Sequence, residues 1–238
     1  MFKGKPEISF VCTMPGLEQI EECRPVSAQK MSPSWWKKMP QKDLLTDSTT
    51  AKKCPGIVDQ MTSGYIIPMW ADVKLTYSKS LDRWSVFSGL NGESNQWEGH
   101  GNGQFKNHAD AHYFGKDVSF VFKAISPWNI ITKPGWSVYQ MPLFYHFDNR
   151  FSVMPGVIDT DIHHIVNQQV MYFGDEEEVV IKRGTPFVQY IPFKRQRVTS
   201  EIRAASEADL KKFELDRLRY FTKFPNTGEY RSMQKDRK

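Results

Sequence analysis

Two hundred and thirty-eight residues suffice for one large domain or two small ones. Hydrophobic residues make up 39% of the chain and aromatics 13%, which excludes a wholly disordered protein. The net charge is +5, and no uncharged apolar run approaches the roughly 18–20 residues of a membrane span, which excludes an integral helical membrane protein.

The basic excess is local. Residues 182–238 hold 15 Lys or Arg against 7 Asp or Glu, so residues 1–181 are mildly acidic. Such a segment suits a polyanion or an acidic partner surface, or serves as a solvated tail. The stretch Met1 to Glu7 has no apolar secretory core behind its lysines. Cys12, Cys23 and Cys54 are odd in number and show no CxxC spacing. That argues against a disulfide framework and a structural zinc site, fits a reduced cytoplasm, and leaves each a packing role.

In chain order, Glu7 to Cys12 alternates and predicts a first strand. Ser32 to Pro40 predicts one helical turn, with Ser32 as N-cap, Pro33 in the first position and Pro40 as the stop. Thr46 to Thr50 is a polar loop. Gly64 to Leu75 predicts a strand whose Pro68 must lie at an edge or bulge. Arg83 to Ser88 is another strand. Gly89 to Gly103 is a turn-rich connection with five Gly. Alternation of Val118, Phe120 and Phe122 predicts a strand within Phe114 to Ala124, closed by Ser126-Pro127-Trp128. Further strands are expected near 136–139, 151–153, 165–172, 178–181 and 187–192. Short strands between Gly and Pro turns imply a sandwich or barrel.

The C-terminus changes period. Ser206-Glu207-Ala208-Asp209 reads as a capped helix start, and Leu210, Phe213, Leu218 and Phe221 recur at helical spacing to about Thr222. The residues after Pro225 read as a basic tail. The expected organisation is a single β-rich domain over 1–200, then the helix and tail over 201–238.

Residues 134–193 carry a resemblance. They contain Pro134-Gly135-Trp136, then Gly156-Val157-Ile158-Asp159-Thr160-Asp161, then Asn167. They close with Ile181-Lys182-Arg183-Gly184-Thr185-Pro186-Phe187-Val188-Gln189-Tyr190-Ile191. Order and spacing resemble the core of the dUTPase and dCTP-deaminase superfamily, a β-clip fold. The resemblance implies a mainly β protein with a β-clip or barrel-like core, here with an N-terminal β extension and a C-terminal amphipathic helix. Gly156 and Gly184 are expected to open tight turns.

The same resemblance would make Asp159 the water-activating carboxylate. The rest of that site departs from the family. Ile162 stands where an aromatic residue stacks on the deoxyribose, and Met141-Pro142-Leu143-Phe144 stands in place of the phosphate-binding motif. A triphosphate needs positive charge and exposed backbone N–H groups, which that stretch does not offer. Asp159 and Asp161 then read as turn residues accepting backbone hydrogen bonds. A wider pattern adds Trp35-Trp36, Lys53-Cys54-Pro55, Gly64-Tyr65, Ser126-Pro127-Trp128 and Ile191-Pro192-Phe193-Lys194-Arg195. It resembles an uncharacterised family of tailed marine cyanobacterial phages and, more distantly, of bacteria. That implies a phage origin and no particular activity.

Three other constellations bear on chemistry. His146-Phe147-Asp148, if on a strand, puts two ligand types on one face, as in non-haem iron oxygenases. A third ligand would have to come from His163 or His164, and the ordinary alternative is a loop histidine bonded nearby. His108 and His112 are four apart but lie in a stretch of little helical character. Trp84, Trp97, Trp128, Trp136 and Phe114 could stack bases, although aromatics spread over many strands are more often core.

The leading expectation is a non-enzymatic phage structural or binding protein, acting in the host cytoplasm during infection or in the virion, with no cofactor and no membrane. Its partners would be further copies of itself or virion proteins. The alternatives are a dUTPase-like enzyme of nucleotide metabolism, a non-haem iron oxygenase with His146 and Asp148 as ligands, or a nucleic-acid or host-protein binder. The last would work through Lys211, Lys212, Phe213, Arg217, Leu218 and Arg219.

Overall fold

Apolar alternation places the first strand where the sequence does, and packing decides the rest. The computed structural model describes residues 7–89, 97–99, 112–113, 116–174 and 177–223, without the side chains of 112, 113, 116, 117 and 219–223. The strands are β1 (Ile8–Cys12), β2 (Val26–Ser27), β3 (Tyr65–Pro68), β4 (Val73–Ser78), β5 (Arg83–Ser88), β6 (Trp97–Gly99), β7 (His112–Tyr113) and β8 (Lys116–Asp117). They continue as β9 (Phe120–Ile125), β10 (Trp128–Thr132), β11 (Trp136–Met141), β12 (Phe151–Val153), β13 (Gly156–Ile158), β14 (Asn167–Tyr172), β15 (Glu178–Ile181) and β16 (Pro186–Lys194). The helices are α1 (Ser34–Lys38), α2 (Pro55–Thr62) and α3 (Glu207–Lys223).

The protein is mainly β, as expected. Its strands form antiparallel sheets in the orders β13-β11-β16-β3-β2, β12-β14-β9-β6 and β15-β4-β5, with the pairs β1-β10 and β7-β8. Among the described residues no sheet closes on itself, so the barrel-like expectation resolves into open sheets. One apolar core joins the three larger sheets through Ile67, Val138 and Val188, then Phe122 and Val170, then Val73, Leu75 and Ile181. The N-terminal extension is real: β1 pairs with β10, Phe10 opposite Ile130.

The chain divides into two compact units, 1–37 with 61–195 and 38–60 with 196–238. Residues 38–60 thus group with the C-terminal segment. All sheets lie in the first unit.

Several sequence expectations are corrected. The single strand over 64–75 is two strands in different sheets, separated by Met69 to Asp72. The Trp70 ring is fully buried there, stacked on Trp97 at 5.1 Å and edge-on to Phe187 at 5.8 Å. Pro68 does sit at a bulge, where the β3–β16 register shifts between Pro186 and Val188. β10 and α2 carry too little periodicity to stand out. Ser32 is no N-cap, because its hydroxyl donates to the Gln29 carbonyl. Cys54 is exposed, against the packing role expected of it, whereas Cys23 is buried. Gly184 takes φ 78° and needs glycine, but Gly156 simply opens β13 without a positive φ. Most of Gly89 to Gly103, His108 and the tail after Lys223 lie outside the described residues.

Candidate functional site

The turn that carries the dUTPase resemblance is built around an arginine. Gly135 adopts φ 81°, which turns its N–H onto Asp161 Oδ2 at 2.8 Å. Arg195, just past β16, donates Nη1 to Asp161 Oδ1 at 2.8 Å and Nη2 to Asp161 Oδ2. The same Nη1 lies 2.8 Å from Ser137 Oγ and 3.0 Å from Asp159 Oδ1. Ser137, buried in β11, donates its hydroxyl to Asp159 Oδ1 at 2.6 Å. The Arg195 guanidinium, helped by the Gly135 N–H, lowers the Asp161 carboxyl to about 2.

This is a clamp across β11, the 159–161 turn and the end of β16. A general base needs a free lone pair aimed at its proton donor. Oδ1 of Asp159 bonds Ser137 and Arg195, which leaves Oδ2 as the oxygen on which the water-activating role implied by the resemblance would rest, while Asp161 accepts a backbone N–H as a turn residue does. Ile162, in the sugar-stacking place, is largely exposed.

The stronger site lies where the sequence looked for a phosphate loop. Pro142 to Phe144, His146 to Asn149 and Phe151 to Val153 line a cavity of about 280 Å³ with Phe173, Pro186 and Phe187. Its walls are mostly apolar, with Phe144, Phe147, Phe151, Phe173 and Phe187 among them. After β11 the chain makes a single 3₁₀ turn, Phe144–His146, and Phe147 then takes φ 54°. A bulky non-glycine residue in the left-handed region is a genuine outlier, and such strain clusters at binding and catalytic sites. The conformation is held by α1: Trp35 Nε1 donates to the Tyr145 carbonyl at 2.9 Å, and its ring packs on Phe147 at 5.2 Å. Trp36, buried beside it, anchors Trp35 edge-on at 5.6 Å. The double tryptophan therefore sets the mouth of the cavity.

The polar groups of this cavity carry no net charge. Burial pushes the His146 imidazole below its ordinary pKa, with Asp148 pulling weakly the other way, so the ring is neutral at neutral pH. Among the described residues the ring makes no hydrogen bond, which leaves a donor and an acceptor for a ligand. Asp148 is taken up by Arg150: Nε reaches Oδ1 at 3.0 Å and Nη2 reaches Oδ2 at 2.7 Å.

That pairing also bears on the His146 and Asp148 ligand pair expected of an iron oxygenase. His146 and Asp148 do not share a strand face, because His146 ends a 3₁₀ turn and the left-handed Phe147 stands between them. The carboxylate serves the guanidinium instead. His164 Nδ1 bonds the Thr160 carbonyl at 2.9 Å. Among the described residues no group of three or more His, Cys, Asp or Glu side chains could hold a metal ion.

The other aromatics go to the core. Trp84 stacks on Phe120 at 5.9 Å, and Trp128 is buried with Nε1 donating to the Cys23 carbonyl at 3.0 Å. Trp136 is half-buried, and Phe114 lies outside the described residues. Burial pushes the Cys12 and Cys23 thiols up, which suits packing and not nucleophilic attack.

In the second unit α3 starts on a reciprocal cap. The Asp209 N–H donates to Ser206 Oγ at 3.2 Å, and the Ser206 N–H donates to Asp209 Oδ2 at 2.9 Å. Arg203 and Ser206 hold the Asp209 carboxyl well below the usual carboxylate range. Leu210, Phe213 and Leu218 remain between 51% and 58% exposed, so the stripe is not core. Lys211, Lys212 and Arg217 are exposed as well, and the Arg219 side chain lies outside the described residues.

No protein-family model matches the chain, and neither does any curated protein. Solved structures similar to it include phage dUTPases. A mutant dUTPase of phage phi11 of S. aureus aligns over 85% of this chain and 99% of its own, at 10% identity and a TM-score of 0.36. A mutant dUTPase of Staphylococcus bacteriophage 80alpha, with dUpNHpp, aligns over 85% and 94%, at 11% identity and a TM-score of 0.34. At such TM-scores neither activity nor partners pass to this chain.

Proposed function

We propose that the protein is a binding protein for a small, uncharged, planar ligand of nucleobase or nucleoside size, held in the Phe144–Phe187 cavity. One observation carries this: Phe147 is forced into a left-handed conformation at the mouth of an aromatic cavity that holds a neutral, unbonded imidazole. Phenylalanine faces offer stacking worth about 1–3 kcal/mol per base. His146 offers the directional contact. About 280 Å³ falls just below the roughly 300–1,000 Å³ of drug-sized pockets, which suits a ligand of this size.

The reading keeps the binding half of the leading expectation and shares its ligand class with the nucleotide-metabolism alternative. It departs from dUTP hydrolysis because Met141 to Phe144 offers no cation for a triphosphate and Ile162 stands in the sugar-stacking place. The virion-part expectation gains no observation. The resemblance to tailed marine cyanobacterial phage proteins implies work in the host cytoplasm during infection. No helix among the described residues is long and apolar enough to cross a membrane.

The test is a panel of nucleosides, with ribose and a nucleoside triphosphate as controls, followed by Trp35-region fluorescence and ligand-observed NMR. Saturable binding of at least one nucleoside is expected, with ribose silent and affinity at least tenfold weaker in His146→Ala and Phe147→Gly. Absence of binding across the panel up to about 10 mM nucleoside, where the free energy would be under roughly 3 kcal/mol, overturns the reading. So does dUTP turnover of about one per second or faster, in the ordinary enzyme range, abolished by Asp159→Asn.

A further inference from the structure

α3 begins with a complete cap and runs seventeen residues, about 25 Å, yet Leu210, Phe213, Leu215 and Leu218 are half exposed. At helical spacing, positions 210, 214, 217 and 221 fall on one line along the helix. In this sequence that line reads Leu210, Glu214, Arg217, Phe221. An acid and a base thus sit at its centre, both exposed, with apolar residues at either end. Phe213 and Leu218 flank the line on opposite sides.

We propose that α3 pairs with α3 of a second copy of this chain, antiparallel, about a two-fold axis midway between Glu214 and Arg217. In that arrangement Glu214 of one copy lies at the height of the second copy's residue 217, and the contact occurs twice by symmetry. Leu210 meets position 221 at each end. Phe213 and Leu218 border the two ion pairs and exclude water from them. A parallel pair would set Glu214 against Glu214 and Arg217 against Arg217, so charge selects the antiparallel form. Glu207 and Asp209 at one end, against the basic positions 217, 219 and 223 at the other, add the same preference. One helix pair of this length falls short of the roughly 1,200 Å² of a stable interface. The association is therefore a concentration-dependent dimer and not an obligate one. Lys212 and position 219 lie on the far side of the helix, and Lys211 lies off the seam beside Leu218.

The experiment is sedimentation equilibrium of the full chain from about 5 to 500 μM, with circular dichroism to confirm that each variant keeps its helix. The chain should shift from one to two copies across this range. Glu214→Arg should leave it a monomer, and Arg217→Glu should do the same, because each sets like charges face to face. The double variant Glu214→Arg/Arg217→Glu should recover the dimer to within about threefold of the wild-type constant. A wild-type chain monomeric at 500 μM overturns the proposal. So does assembly that neither single variant affects, or a folded double variant that stays monomeric. Salt-sensitive binding of single-stranded oligonucleotide by a monomer that never dimerises assigns the helix to nucleic acid and also overturns it.

Discussion

Phe147 is the residue at which fold and function are in tension, and two substitutions separate them. Phe147→Ala removes the ring and keeps a side chain at φ 54°. With 62% of the residue exposed, roughly two-fifths of a full phenylalanine burial is lost, or about 1 kcal/mol. The ring pair with Trp35 adds about 0.5–1.5 kcal/mol. Phe147→Gly loses the same contacts but relieves the left-handed backbone, worth about 1–2 kcal/mol. Glycine returns roughly 0.5–1 kcal/mol of that through the entropy of the unfolded chain. The glycine variant should therefore be more stable than the alanine variant by about 0.5–1 kcal/mol, the reverse of the order in an ordinary helix or strand. Urea denaturation at equal m-values reads the difference from the midpoints. Both variants should lose nucleoside binding alike. An alanine variant as stable as the glycine variant, or more so, would refute the claim that the backbone is strained here.

The clamp gives a pH signature. Asp161 is lowered to about 2 in the folded protein, from about 3.9 unfolded, so its contribution to stability is present above pH 4 and is lost as pH falls through 2. The stability gap between wild type and Asp161→Asn should be constant from pH 4 to 6 and shrink between 4 and 2; a gap independent of pH would contradict the Arg195 pairing. Elemental analysis after purification without chelator should find less than about a tenth of an equivalent of iron, manganese or zinc. Near-stoichiometric metal that is lost in His146→Ala would restore the oxygenase alternative.

Much of the fold was legible because period-2 alternation survives in half-buried strands. β5, β12 and β15 fall where it predicts, and α3 begins one residue after its Ser206 cap. The break between β3 and β4 was hidden because Met69, Trp70 and Ala71 are as apolar as the strands around them. Only the tertiary packing of the Trp70 ring turns them out of the sheet. The site was half legible. Asp159 and Asp161 were visible as a turn, but their partner Arg195 comes 34 residues after Asp161, and nothing local marks a pair at that separation. His146 and Asp148 were visible as a spacing, but whether a strand carries them was not. A phenylalanine at positive φ has no signature in sequence, since only Gly, Asn or Asp advertise that conformation. The neighbouring Trp35-Trp36 was noticed, but its bond to the Tyr145 carbonyl spans 110 residues.

Charge balance decides what form of ligand the cavity accepts. A triphosphate brings several negative charges, and binding it requires unpaired cations or a run of free backbone N–H groups. Arg150 is the nearest guanidinium, and Asp148 already neutralises it through two parallel bonds. His146 adds no charge, because burial keeps it neutral. To recruit Arg150, a phosphate would have to displace a carboxylate that also accepts the Arg150 N–H at 3.0 Å, exchanging one anion for another with little gain. The remaining recognition energy is aromatic area and the neutral polar side chains of His146, Asn149 and Ser152, which suit a base or nucleoside better than a phosphate tail. The same logic applies at the Asp159 turn, where Arg195 faces two carboxylates and has no charge left for a substrate. Arg150 and Arg195 are thus committed to holding the fold. The cavity is left to read shape and hydrogen bonding, which is why the nucleoside and not its triphosphate is the probe that should bind.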